Sequence, residues 1–141
     1  MAAQAWLDHV PIPPIQVHAI PAELGATAAA NAYARQLAGQ GPFDLVLLGL
    51  GEDGHTASLF PGHDWGTTAA APDALAVFDA PKPPPERVSL SAQRLSRADA
   101  VMFLVTGAGK RQAVADWRAG LSIPAAAITP ADGVDILLDH A

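Results

Sequence analysis

The sequence predicts an α/β fold in which a mostly parallel sheet is flanked by helices. Two segments, 44–50 and 101–106, carry this prediction because each holds a continuous apolar run. Such runs are typical of parallel strands that are covered on both faces. Helix-like segments alternate with these strands, as in α/β proteins. With 141 residues, half of them apolar, the chain has the length and the core of one domain. We therefore expect a single domain over residues 1–141.

The first half of the chain predicts the elements in the following order. Three prolines within 11–14 exclude a regular helix or a central strand there, so residues 1–20 are expected to be irregular. A helix is expected over 21–38, with Pro21 in its first turn and Ala26, Ala30, Tyr33 and Leu37 on one face. The strand 44–50 follows, and then a loop over 62–73.

The second half continues the alternation. It predicts a weaker strand over 74–78, a proline-rich segment over 81–85, a short strand over 87–90 and a short helix over 92–98. After the strand 101–106, Gly107 and Gly109 predict a turn into a helix over 110–119 that Gly120 ends. Two short strands, 125–129 and 134–138, are expected last.

Composition excludes several classes of function. The net charge is −6 and no basic face is visible, so we expect no nucleic-acid partner. The absence of cysteine excludes disulfides, Cys-ligated zinc and thiol catalysis, and it is compatible with a reducing cytosol. No apolar run reaches the length of a membrane span, and the first residues lack the pattern of a signal peptide. We therefore expect no membrane partner.

The loop after the strand 44–50 is the most informative segment. In open α/β sheets, ligands bind at the carboxyl ends of the strands. Glycines 49, 51 and 54 allow unusual backbone angles and a close approach to a ligand. His55 lies on this loop and can act as a general base near neutral pH, while Asp53 can orient its ring. We expect a catalytic site here.

Three other interpretations of this loop stay open. The glycine spacing fits a dinucleotide-binding pattern, but that pattern needs a helix at its last glycine, and Pro61 and Gly62 leave under two turns. A metal site would use His55, His63 and Asp64, although eight residues between the histidines is not a helical ligand spacing. His55 could also be an ordinary loop histidine.

Two further segments are candidates for anion binding. Lys110 follows the strand 101–106 at the start of a helix, where exposed amides attract anions. The segment is not a Walker A loop, because Leu104 and Arg111 stand where Gly and Ser/Thr are needed. Arg87 follows the proline-rich segment and is suited to bidentate phosphate binding. The alternatives are a plain strand–helix turn with an exposed Lys110, and an Arg87 that pairs with an acidic side chain.

These three segments, in this order, resemble the 6-phosphogluconolactonase family. They read LGLGEDGHTASLFPGH (48–63), APKPPPERVSL (80–90) and VMFLVTGAGKRQAV (101–114). The opening WLDHVPIPPIQVHAIPAE (6–23) and the closing IPAAAIT and VDILLD are also similar to that family, so the resemblance covers nearly all of the chain. Glucosamine-6-phosphate deaminases are wider relatives with a related Asp-Gly-His loop.

The resemblance implies a cytosolic hydrolase that opens 6-phosphoglucono-1,5-lactone to 6-phosphogluconate in the pentose phosphate pathway, with no cofactor and no metal. Matched motif by motif, His55 activates water and Asp53 supports His55 or its loop. Arg87 and Lys110 hold the 6-phosphate, and Gly51 and Gly54 belong to the substrate-binding loop. The implied fold is a Rossmann-like sugar-phosphate isomerase/lactonase fold.

One departure from the family is large. The family's Gly-Gly-Ser/Thr-Thr-Pro phosphate loop and its Asp-Glu-Arg segment do not occur in these 141 residues. We therefore expect an incomplete fold that corresponds to the family's C-terminal portion. The second hypothesis is a non-catalytic sugar-phosphate-binding fragment, and the third is a piece that needs a partner chain. An uncovered sheet edge would also favour self-association.

Overall fold

The sheet that organises the molecule has three parallel strands. A computed structural model describes residues 2–139. The strands are β1 (Val46–Gly49), β2 (Ala74–Val77), β3 (Arg87–Leu90), β4 (Val101–Val105) and β5 (Asp135–Leu138). The three-stranded sheet has the order β1-β4-β5, with Val46 opposite Val101 and Met102 opposite Asp135. The predicted α/β class with a parallel sheet and flanking helices is confirmed.

The described α-helices lie close to the predicted positions except for the first, which falls within residues 1–20, where irregular structure was expected. They are α1 (Ala2–Ala5), α2 (Ala26–Leu37), α3 (Ala92–Ser96) and α4 (Arg111–Arg118). Short 3₁₀ turns occupy Leu7–His9, Pro14–Gln16, Ala22–Leu24, Ala108–Lys110 and Pro124–Ala127. The predicted helix 21–38 is interrupted because Gly25 has φ +82°, which ends the first turn before α2 begins. None of the described helices is long and apolar enough to cross a membrane.

The core lies on one side of the three-stranded sheet. Val101, Phe103 and Val105 of β4 point into it and are nearly or completely buried. The Phe103 and Trp117 rings meet edge to face, with centroids 4.8 Å apart, so α4 packs on this face of the sheet. This arrangement agrees with the predicted apolar face of α4, on which Val114 is also buried.

The other face of the same sheet is open. The strand register places Leu47, Leu104 and Leu137 on this face, and 58%, 48% and 52% of their surfaces are exposed. Leu45 lies in line with Leu47 and is 51% exposed. The expectation that the strand 44–50 is covered on both faces is therefore wrong: the described helices cover one face only.

The strands β2 and β3, which the sequence predicted without a pairing, form a separate antiparallel pair. One predicted strand needs correction. The predicted strand 125–129 is a 3₁₀ turn over Pro124–Ala127, because Pro124 starts a helical turn and the N–H of Ala125 donates to the carbonyl of Gly54 at 3.1 Å. This turn thereby supports the loop that carries His55.

A buried arginine fixes the segment that leads into β1. The Arg94 guanidinium lies over the ring of Phe43, with 3.9 Å between its Cζ and the ring centroid, and its Nη1 donates to the carbonyl of Gly41 at 3.0 Å. Arg94 is fully buried, and this burial lowers its pKa. The contact joins α3 to the residues just before β1.

The two faces of β4 give a matched test of this architecture. We expect Phe103→Ala to lower the free energy of unfolding by about 3–5 kcal/mol, because it leaves a cavity in a closed core. Leu104→Ala removes a half-exposed side chain from the open face and should lower it by less than about 1 kcal/mol. Urea denaturation of both variants measures the difference, and equal losses would show that the open face is covered in solution.

Candidate active site

A cleft lies at the carboxyl ends of β1 and β4. Because these strands are parallel neighbours, the loops that follow them meet at the same edge of the sheet. The cleft has a volume of about 460 Å³, and its lining includes His55, Lys82 and Lys110 together with Gly49, Leu50, Gly51 and Ala57. The predicted base and one of the two predicted phosphate-binding cations are therefore brought together.

The loop that carries His55 is held by its own backbone. The N–H of Gly51 donates to the carbonyl of His55 at 2.7 Å, and the N–H of Gly54 donates to the carbonyl of Gly51 at 3.1 Å. The Thr56 hydroxyl donates to the carbonyl of Gly49 at 2.9 Å. These bonds tie the loop to the end of β1 and give His55 a fixed place on the cleft wall.

Asp53 orients the His55 ring. Its Oδ1 lies 2.5 Å from His55 Nδ1 and also accepts the His55 backbone N–H at 3.2 Å. A carboxylate can only accept hydrogen bonds, so Nδ1 carries the proton and Nε2 of the neutral ring is the free acceptor. Burial raises the pKa of Asp53, but the hydrogen bonds from His55 outweigh burial, and the net effect lowers that pKa. Asp53 therefore stays ionised where a neutral His55 can act as a base.

The ring of Phe60 packs against the ring of His55. Its ring is 1% exposed and lies 4.7 Å from the His55 ring, centroid to centroid, at an interplanar angle of 43°. The His55 side chain remains 20% exposed. The ring is thus fixed by Asp53 and Phe60 while part of it stays open to the cleft.

The two predicted loop glycines have different surroundings. Gly51 lines the cleft, and a Cβ at this position would overlap Nδ1 and Cε1 of His55 and lie 2.7 Å from Asp53 Oδ1. Gly54 has φ +81° and packs against Ile123, where a Cβ would lie 2.8 Å from the Ile123 Cβ. The lack of a side chain at Gly51 therefore leaves space for the His55 ring. At Gly54, glycine allows both the positive φ and the close packing against Ile123. Their roles in substrate binding stay predictions.

Lys110 reaches the cleft from the loop after β4. It ends the 3₁₀ turn Ala108–Lys110, directly before α4. The amide of Gly107, which opens this turn, is already bonded to the carboxylate of Asp139 at 2.9 and 3.0 Å. Lys110 itself makes no ion pair within residues 2–139, so its charge is available to a ligand in the cleft.

Arg87 does not line this cleft, although its Cζ lies 5.4 Å from the ring centroid of Phe60, which packs against His55. Its guanidinium turns back onto the proline-rich segment and donates to the carbonyls of Lys82, Pro83 and Pro84 at 2.6, 3.0 and 3.0 Å. The residue of this segment that lines the cleft is Lys82, which the sequence analysis did not select. The signal for it was present, because Lys82 and Lys110 are the only two lysines in the sequence.

The alternative sites receive no support from the geometry. Nε2 of His63 lies 3.1 Å from the carbonyl of Phe78, which directly follows β2, and Asp64 accepts the N–H of Gly66, so both groups have partners within the fold. No group of three His, Cys, Asp or Glu side chains within residues 2–139 is suited to a metal ion. The residues after Gly54 form turns, not the helix that a dinucleotide site of this pattern needs.

Comparisons with known proteins identify the family. The model described as glucosamine-6-phosphate isomerases/6-phosphogluconolactonase matches residues 1–137. The chain belongs to this family. Among its relatives, the 6-phosphogluconolactonase of Rattus norvegicus is 42% identical over 140 residues, which cover 90% of this chain and 52% of the rat protein.

Solved structures agree with this assignment. The 6-phosphogluconolactonase of Thermotoga maritima superposes with a TM-score of 0.85 at 25% identity, over 96% of this chain and 62% of that one. The Trypanosoma brucei 6-phosphogluconolactonase gives a TM-score of 0.74 at 31% identity, over 98% and 63%. The chain thus spans between about half and three-fifths of the length of these family members.

Substitution of the loop glycines tests how His55 is held. We expect Gly51→Ala to displace the His55 ring and break its contact with Asp53, because the added Cβ overlaps the ring. Gly49→Ala is the matched control, since nothing lies within 4 Å of a Cβ there. Crystal structures, or the ring ¹⁵N chemical shifts of His55, report the change. An undisturbed ring in Gly51→Ala would contradict this account.

Proposed function

We propose that this chain carries the catalytic base of a 6-phosphogluconolactonase, which hydrolyses 6-phospho-D-glucono-1,5-lactone to 6-phospho-D-gluconate in the pentose phosphate pathway. The observation that carries the proposal is the His55 ring, held by Asp53 on the wall of a cleft that also contains Lys110. Membership in the family supports it, as do the relatives that are named 6-phosphogluconolactonase.

His55 acts as a general base in the proposed reaction. Nε2 takes a proton from a water molecule while the water oxygen bonds to the lactone carbonyl carbon, giving a tetrahedral oxyanion. When the intermediate collapses, the bond from that carbon to the ring oxygen breaks, and His55 returns the proton to this oxygen. The product is an open-chain hydroxy acid whose carboxyl group releases a proton to solvent. Asp53 stabilises the transient imidazolium through Nδ1.

In this proposal, positive charge in the cleft binds the phosphate group of the substrate. Lys110 is the one cation that both the sequence and the cleft geometry select. A lysine ammonium attracts a phosphate dianion as a point charge and needs no fixed bidentate geometry. The expected role of Arg87 as a second phosphate ligand stays part of this proposal, because its contacts with the three carbonyls use Nε and Nη2, and the Nη1 donors could still bind a phosphate.

The open sheet face supports a further proposal, that this chain works as the C-terminal portion of a longer catalytic unit. A groove of about 460 Å³ runs between β1 and β3, lined by the consecutive residues 45–48 and 88–90. Since side chains alternate along a strand, consecutive residues line a groove only where a strand edge faces it. An added strand and a covering layer would bury Leu45, Leu47, Leu104 and Leu137.

The alternative is a non-catalytic or incomplete sugar-phosphate-binding fragment that needs a partner segment, and the same open face favours it. Without such a segment, the exposed leucines are expected to promote self-association.

We place the protein in the cytoplasm as part of this proposal, which is supported by the absence of cysteine from its sequence.

Substitution of His55 tests the proposed function. In the protein completed with the family's upstream segment, in cis or in trans, we expect His55→Asn to reduce lactone hydrolysis by about 10²–10⁴-fold without loss of folding. His18→Asn is the control, because that side chain pairs with Gln36 away from the cleft. Near-normal turnover in a folded His55→Asn protein would refute the assignment of the base.

The same preparation tests whether the reaction needs a metal. A lactone carbonyl is already electrophilic, so an activated water and donors to the oxyanion suffice for hydrolysis. We expect treatment with a chelator such as EDTA to leave the rate unchanged. Loss of activity that stoichiometric zinc restores would contradict this expectation.

A further inference from the structure

The proline-rich loop next to the cleft is organised by Arg87. One edge of the guanidinium, made of Nε and Nη2, donates to three carbonyls of this loop. The N–H of Ala80 closes the loop by donating to the carbonyl of Pro85 at 3.0 Å. Arg87 also lies over Phe60, with 5.4 Å between Cζ and the ring centroid. Arg87 therefore uses its donors to hold the loop and rests on the ring that supports His55.

Lys82 is the residue of this loop that lines the cleft. Four prolines, at 81 and 83–85, flank Lys82 and limit the conformations of its backbone. Lys82 makes no ion pair within the described part of the chain, and the same is true of Lys110. The only two lysines of the sequence thus both line the cleft that contains His55.

We propose that Lys82 and Lys110 together bind the phosphate of the substrate, and that Arg87 is a positioning residue that holds Lys82 in place. This inference rests on the proposed function for the identity of the phosphorylated ligand. Two ammonium groups on separate loops, one after β4 and one before β3, can face a dianion from two sides. A restrained backbone at Lys82 lowers the entropy that is lost when the ligand orders its side chain.

Lysine signals give a direct test with the chain as it exists. Reductive ¹³C-methylation labels Lys82, Lys110 and the N-terminal amine, which NMR resolves as separate resonances. We expect 6-phosphogluconate and inorganic phosphate to shift both lysine resonances, and unphosphorylated gluconate to shift neither. An unshifted Lys82 resonance at saturating 6-phosphogluconate, or no binding at all, would overturn the inference.

Affinities of variants separate direct binding from positioning. Lys82→Gln should weaken 6-phosphogluconate binding by about 10–100-fold, the loss expected for one charge-assisted hydrogen bond. Arg87→Met should weaken it similarly in the wild-type background and cause no further loss in Lys82→Gln, because it acts through Lys82. Additive losses in the double variant would mean that Arg87 contacts the phosphate itself. Unchanged affinity in Lys82→Gln would leave Lys82 as a solvated surface lysine.

This experiment is independent of the test of lactone hydrolysis. If Lys82→Gln weakens phosphate binding while His55→Asn keeps its turnover, the phosphate site stands and the proposed catalytic base fails. If His55→Asn abolishes turnover while Lys82→Gln binds normally, the proposed function stands and this inference fails.

Discussion

The parallel pairing of β1 with β4 is the constraint on which the candidate site depends. Val46 lies opposite Val101 and Gly49 opposite Leu104, so both strands end at the same edge of the sheet. The loop with Asp53 and His55 and the loop with Lys110 are more than fifty residues apart in the sequence, yet this register brings them to one cleft. A shift of one residue would turn the buried Phe103 toward the open face, so core packing also fixes the geometry of the site.

The sequence predicted the elements whose signal is local and missed what depends on tertiary neighbours. Strands β1 and β4 were predictable because a short apolar run followed by glycines has few alternative secondary structures. The segment 125–129 has similar apolar residues, but the bond from Ala125 to Gly54 decides its conformation, and that bond joins residues distant in sequence. Likewise, the motif containing Arg87 was recognised, whereas the turn of its guanidinium toward its own loop depends on three carbonyls and on Phe60.

The open face of the sheet lies next to the candidate site. A parallel sheet of apolar strands is stable when both faces are buried, and here one face keeps four half-exposed leucines. The groove along β1 and β3 lies beside the strand whose end carries His55. In the proposed longer unit, a segment added along this groove would bury the apolar face close to the loop that carries His55.

Arginine and lysine have different roles in this chain, and the difference follows from their chemistry. Three arginines use their planar guanidinium groups within the fold. Arg87 contacts carbonyls of its own loop, Arg94 contacts Gly41 and Phe43, and Arg97 pairs with Asp73. Both lysines instead lie on the cleft without ion pairs in the described residues. The net charge of −6 would repel a phosphate dianion at long range, but charges beyond about 8 Å are largely screened at physiological salt. Charges within the cleft therefore matter more than the net charge, and Lys82 and Lys110 add two positive charges to a cleft whose His55 is paired with the ionised Asp53.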